Sequence, residues 1–367
     1  MVVLNWKKYN KVLLLLVISI IFFVSFLNIF VDPFDVFHTK NYFNRVRPNI
    51  DKNQRISLIP GLKFDKREIN SIWIGSSKTG WNSNEKYESV LLGFNIKNLA
   101  LKHCSIKESI DMAKNAILIH PEIKTIYWGL DFSEFKKIDS QKVDSIKLIS
   151  NKDITKEELL PLIISFDTFG DTFKTIQKNL KKKIKVISYK DYGNRKEYNS
   201  KILNKYKDTV KNYYRDYYSD YQLSNDIFEE IEDFIDYAKN KGVKVVIFAT
   251  TMHITERILI DNTNNSDNFN EFKRKLVKIQ PYYDFAVVDK YTTEEIKPDM
   301  KYFRDAIHAY AFIRKKITNQ LFLNNEDFGV WVSEKNIEQH LKNEDIKFKN
   351  HLRKNGDLVE QTKEWCK

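Results

Sequence analysis

Twenty consecutive residues, Val12 to Val31, "VLLLLVISIIFFVSFLNIFV", carry no charge and are interrupted only by Ser19, Ser25 and Asn28. Wound as a helix rising about 1.5 Å per residue, this run spans roughly the 30 Å of a bilayer core. It exceeds the apolar region of a cleaved signal peptide and no small-x-small site follows it, so a transmembrane anchor over residues 12–31 is expected rather than a leader. Lys7, Lys8 and Lys11 precede the run and "VDPFD" follows it. By the positive-inside rule, residues 1–11 then lie in the cytoplasm and the bulk of the chain outside it, on a single-pass protein of the cytoplasmic membrane.

The remainder is a different kind of sequence. With 42% apolar residues over 367 positions there is ample material for a large core. Residues 32–70, with three prolines and no sustained period, read as a juxtamembrane connection. From Ser71 on, short apolar runs alternate with helical patterns: "SIWIG" (71–75), "FNIKNLAL" (94–101), "KTIYWGLD" (124–131), "VKVVIFAT" (243–250) and "DFAVVD" (284–289). Strand and helix in alternation predict an α/β fold, a doubly wound parallel sheet of five strands over 71–324. The alternation lapses over about 135–225, read as a helical insertion near the strands' carboxyl ends. Its stretch of interleaved tyrosine and lysine suits either an amphipathic packing surface or a sugar- or phosphate-binding face. Residues 325–367 read as a charged helical extension.

In an open α/β sheet the site lies beyond the carboxyl ends of the strands, which points to Gly75, Ser76 and Ser77 after the first one. A serine nucleophile needs a base, usually a histidine oriented by a carboxylate. Of seven histidines, only His308, in "YFRDAIHAYAF", stands three residues after an aspartate at the end of the alternating region. Asp305 reads as the N-cap of the last helix of that region, and Asp-x-x-His on one turn sets the carboxylate against Nδ1 and leaves Nε2 for a serine. A capping aspartate beside a structural histidine is the competing account.

In this order, the segments resemble the blocks of the SGNH (GDSL-like) hydrolase and acyltransferase family. "GSS" takes the first block, which makes Ser77 the nucleophile and puts Ser76 where the family has aspartate. "NLALKHCS" is similar to the second, with Asn98 opening it and His103 at the glycine's place. "GLDF" is similar to the third, with Gly129 kept and Asp131 where asparagine stands; Asp305 and His308 are the fourth. The resemblance implies a flavodoxin-like sheet and an oxyanion hole formed by Ser77, His103 and Asp131. Gly75, Ser76, Asn98 and Gly129 would support the turns. An ionised Asp131 cannot donate, so either that carboxyl is protonated in a buried site, or it turns away to brace the turn, or the hole is incomplete.

The anchor, "VDPFDVF" and the Gly-Ser-Ser block resemble the family's envelope branch, which includes the D-alanine transfer protein of lipoteichoic acid synthesis and polysaccharide O-acetyltransferases. That implies an extracytoplasmic serine esterase or O-acyltransferase acting through an acyl-enzyme on a cell-envelope polysaccharide or teichoic acid, without a cofactor, beside a membrane-bound O-acyltransferase. A glycan-binding or scaffold protein with an impaired site is the alternative. The net charge of +12 suits an anionic polymer, which outside the cytoplasm is a wall polymer or lipid rather than nucleic acid, with coding bias toward Lys, Asn and Ile as the alternative origin of the charge. No G-x-x-x-x-G-K-[ST] stretch and no metal-ligand spacing occur, which disfavours an NTPase or a zinc enzyme, and two distant cysteines predict no disulfide framework.

Overall fold

The computed structural model describes residues 6–34, 36–37, 39, 58–59, 62–63, 65–81, 83–137, 156–181 and 199–366. Most of the juxtamembrane connection, His38, and residues 138–155 and 182–198 of the insertion lie outside them. In chain order the main elements are α1 (Trp6–Val31), β1 (Ile69–Gly75), α2 (Glu85–Leu92), β2 (Asn95–Asn98), α3 (Ile106–Ile119), β3 (Thr125–Leu130), α4 (Lys156–Ile164), α5 (Phe166–Lys181) and α6 (Ile202–Tyr213). They continue with α7 (Asp226–Asn240), β4 (Lys244–Ala249), α8 (Ile254–Asn262), α9 (Ser266–Ile279), β5 (Tyr282–Asp284), α10 (Ala311–Leu323), β6 (Val330–Val332), α11 (Ile337–Lys354) and α12 (Gly356–Trp365). Two compact units result, residues 1–66 with 150–186, and residues 67–149 with 187–367.

In the first unit, α1 is the one helix among the described residues long and apolar enough to cross a membrane. It begins six residues before the apolar run, at Trp6, so the lysines continue the same helix. Only Val24, Asn28 and Val31 of α1 are buried, where α4 and α5 pack on its C-terminal end.

In the second unit the sheet order is β2-β1-β3-β4-β5-β6. The first five strands are parallel, as the alternation of strand and helix requires, since each return must cross the sheet. The sheet has six strands rather than five. The sixth, "VWV", lies in the stretch read as a charged tail and pairs antiparallel with β5, Tyr283 opposite Trp331. Three residues are too short for an alternating pattern to stand out, and the strand caps the edge that β5 would leave open. Gly329 permits it: with φ of 87°, any Cβ there would strike the Phe285 ring. The fifth strand also sits earlier than the apolar run suggested, at 282–284 rather than 284–289.

Trp73, Tyr127 and Phe248 share one face of the sheet and pack with Ile313, Ile317 and Phe322 of α10. Trp128, pointing the other way, meets Phe234 of α7 edge-on at 5.4 Å. Local signals set the helices. Ser105 and Glu108 close a capping box on α3, and Gly242, at φ of 72°, follows α7. Among the described tyrosines of the tyrosine-rich stretch, Tyr206, Tyr218 and Tyr221 are buried, and Phe132, just past β3, packs against both Tyr218 and Tyr221. From the tail, Phe348 of α11 packs on Ile254 and Ile258 of α8.

Candidate active site

β1 runs out at Gly75, and a single helical turn, Ser77–Gly80, follows at once. Two glycines let the turn seat on the sheet. Gly75 (φ of 123°) and its register partner Gly129 face each other and the Thr79 hydroxyl so closely that a Cβ on either would overlap its neighbours. Ser76 is the N-cap, its hydroxyl accepting from Lys78 N at 3.2 Å. Asn98, the last residue of the neighbouring strand β2, ties in the far end of the turn, donating to Gly80 O at 3.1 Å.

Adjacent serines at the end of a strand point different ways. Ser76 is buried, whereas Ser77 is half-buried and its Oγ lies 2.9 Å from His308 Nε2. His308 Nδ1 lies 3.0 and 3.1 Å from the two oxygens of Asp305. Asp305 does not cap α10, whose N-cap is Tyr310; its Oδ1 accepts the backbone N–H groups of Ile307 and His308 and folds the preceding loop into a tight turn. Burial works against ionising Asp305, but the His308 ring and these two N–H groups hold its pKa below the ordinary carboxylate value. The imidazole is thus fixed by a charged carboxylate with Nε2 toward the serine. A second buried pair, His340 Nε2 and Asp284 at 2.8 Å, is locked to Lys273 and meets no serine, so an Asp–His contact alone does not mark a site.

His103, at the place a glycine would take, has φ of 52°, a left-handed conformation that costs a side-chain-bearing residue strain. The loop carrying it crosses β1's end, with Leu101 N donating to Gly75 O at 2.9 Å. Among the described residues the N–H groups of Ser77 and His103 donate to no acceptor. Asp131 takes a different place from the oxyanion donor expected of it. It is buried, and its two oxygens accept short hydrogen bonds from the Ser76 and Thr250 hydroxyls, while its N–H donates to Glu134 Oε2 at 2.9 Å. An acceptor clamped by two hydroxyls braces the ends of β1, β3 and β4 against one another. Burial, then the nearby Asp131, pushes Glu134 well above the usual carboxyl range.

Several neighbours carry no local signal in the sequence. Lys78, next to Ser77, points down into a buried ion pair, its Nζ 2.9 Å from both Glu256 oxygens, with the Tyr218 hydroxyl donating to Glu256 at 2.8 Å. Burial opposes the ammonium, but Glu256 outweighs it and holds Lys78 above the ordinary lysine pKa. Trp81 lies 5.2 Å from the His308 ring, and the Arg304 guanidinium lies 4.3 Å from the Trp81 ring centre, with Nε 3.5 Å from Asp305. Thr250 was the one detectable in principle, at the carboxyl end of a predicted strand. Cys104 lies under the loop, 3.5 Å from Gly75 O, and burial raises its thiol pKa well above normal, which keeps it protonated and inert. Among the described residues no group of three His, Cys, Asp or Glu side chains is arranged to hold a metal.

No protein-family model matches this chain, and no curated protein matches it.

Proposed function

We propose that this chain is a serine esterase or O-acyltransferase of the SGNH type, on a doubly wound, flavodoxin-like sheet, working through an acyl-enzyme on Ser77. The observation that carries the reading is the linear arrangement of Ser77 Oγ, His308 and Asp305 at 2.9 and 3.0 Å, at the carboxyl ends of parallel strands. Ser77 Oγ attacks the acyl carbonyl carbon as Nε2 takes its proton, and the imidazolium passes that proton to the departing alkoxide. An acceptor hydroxyl or water, deprotonated by His308, then attacks the ester and frees Ser77. The backbone N–H groups of Ser77 and His103 are the donors available to the oxyanion.

The acceptor is a cell-envelope polysaccharide or teichoic acid. α1 anchors the chain with its lysine-bearing end in the cytoplasm, so the site faces the envelope, and a membrane-bound O-acyltransferase supplies the acyl group. Trp81 offers a sugar-stacking face beside His308, and Arg304, with 28% of its side chain exposed, offers a cation for an anionic polymer. A binding or scaffold role is the second reading, favoured by one observation: Asp131 supplies no donor where the family has asparagine. Brief exposure of the full chain to p-nitrophenyl acetate, acid quench and peptide mass spectrometry separates the two. An acetyl group on the Ser77 peptide supports the enzyme, and its absence alongside unmodified Ser77 under every acyl donor tried leaves the binding role.

A further inference from the structure

We propose that the helix pair α4–α5 is a membrane-interface element, lying in the bilayer leaflet where α1 emerges with its exposed apolar face among the acyl chains. The inference rests on reading α1 as the anchor. α5 is built inside out. Thr168, Asp171, Thr172 and Thr175, spaced i, i+3, i+4 and i+7 along one stripe, are 5%, 3%, 1% and 6% exposed. Phe166, Phe173 and Leu180, recurring every seventh residue on another stripe, are 66%, 55% and 77% exposed. A helix on the surface of a water-soluble domain has the opposite pattern. α4 adds Leu160 and Ile164 to the outward side, while Leu159 and Leu162 pack on Phe34 and Val36 just past the span.

The inward contacts are those expected where water is absent. Asn28, in the last turns of α1, is buried. Its amide donates to Ile163 O at 2.9 Å, in the last turn of α4, and to Ser165 O at 3.1 Å, which also accepts from Phe169 N, while its carbonyl accepts from the Thr172 hydroxyl at 2.9 Å. Small hydroxyl residues and a hydrogen-bonded asparagine are how helices associate inside a bilayer, where apolar packing alone gives no preference for neighbour over lipid. Continuity with α1 identifies the occupant as lipid: the buried residues of α1, Val24, Asn28 and Val31, are all at its C-terminal end, so the pair docks where the span leaves the hydrocarbon. At 9 and 16 residues, neither helix reaches the roughly 20 residues needed to cross, so the pair lies within one leaflet's boundary.

The test uses the full chain with Cys104→Ser and Cys366→Ser, reconstituted in vesicles of phosphatidylethanolamine and phosphatidylglycerol. Single cysteines at Phe173→Cys, Leu180→Cys, Leu16→Cys on α1 and Lys335→Cys just before α11 carry an environment-sensitive dye, with nitroxide-labelled acyl chains as quencher. Quenching at 173 and 180 comparable to that at 16, with none at 335, is the expected result. Quenching at 16 with none at 173 and 180, whether these react with a water-soluble maleimide or are shielded by protein, overturns the proposal and leaves the anchor intact. No quenching at 16 overturns the anchor and the proposal together. Because the cysteine variants could misfold, the unmodified chain is also photolabelled with a diazirine-bearing lipid: adducts on peptides within 156–181 are expected, and labelling confined to α1 overturns the proposal.

Discussion

Ser77 Oγ and His308 Nε2 lie 2.9 Å apart although 231 positions separate them in the chain. The contact exists because both residues sit at the same end of the sheet, one on the turn leaving β1 and the other on the loop preceding α10. If Ser77, His308 and Asp305 act as a unit, Ser77→Ala and His308→Ala each remove nearly all turnover, and the double variant is no worse than either. Steady-state ester hydrolysis measures this.

Ser76 has a different task, and its loss should register as stability. Ser76→Ala removes an N-cap and one of the two hydroxyls on the buried Asp131 carboxylate, a loss of about 1–3 kcal/mol. Thr250→Val removes the other. Urea midpoints should show the two substitutions to be non-additive, since they share one acceptor, while turnover per folded molecule falls far less than in Ser77→Ala. Additive losses would mean that Asp131 does not couple them.

The turn itself was legible in the sequence, because a strand of Ile72, Trp73 and Ile74 ending on Gly75 is a local pattern, and so is Asp-x-x-His. The same holds for the helices bounded by Ser105 and Gly242. What closes the site was not legible. Thr250 reaches Asp131 across 119 residues and Glu256 reaches Lys78 across 178, pairings that leave no periodic trace. Asp131 was placed by its motif position, but its role depends on which hydroxyls surround it, and Asp305 was expected to cap a helix that begins six residues later. The three-residue β6 and the inside-out α5 escaped for a shared reason: burial there is decided by a neighbouring element rather than by the segment's own pattern.

The Lys78–Glu256 pair, with side chains 2% and 1% exposed, should be costly to break. Lys78→Met leaves Glu256 buried without its cation and is expected to cost about 3–5 kcal/mol, of which the double variant Lys78→Met/Glu256→Leu recovers a large part. Denaturant titration of the three proteins checks both.

His103 is held at φ of 52°, where a Cβ is strained. His103→Gly should keep activity and stability within about 1 kcal/mol of the natural chain, and His103→Val, β-branched, should lose about 1–3 kcal/mol. Turnover in His103→Gly comparable to that of the natural chain indicates that only the backbone N–H matters at this position.

Stability should fall in acid through His253. The buried ring donates from Nε2 to Glu294 O at 2.7 Å, and Nδ1 accepts from the Thr255 N–H with the Thr255 hydroxyl at 3.0 Å, so among the described residues no carboxylate offsets the cost of charging it there. Burial lowers its pKa to about 4, the Glu294 carbonyl notwithstanding. The unfolded chain takes up a proton below about pH 6.5 and the folded chain only near pH 4. The contribution is therefore complete above pH 6.5 and is lost as pH falls through that window, by about 3 kcal/mol. Urea midpoints against pH should show this slope in the natural chain and a shallower one in His253→Gln.

Labelling with a fluorophosphonate probe tests the central claim most directly, because the Ser77 oxygen must displace fluoride with His308 accepting its proton. The account predicts covalent labelling of the full chain that disappears in Ser77→Ala, is lost in His308→Ala and survives in Ser76→Ala. Equal labelling of the natural chain and Ser77→Ala, or none in a folded natural chain, would contradict it.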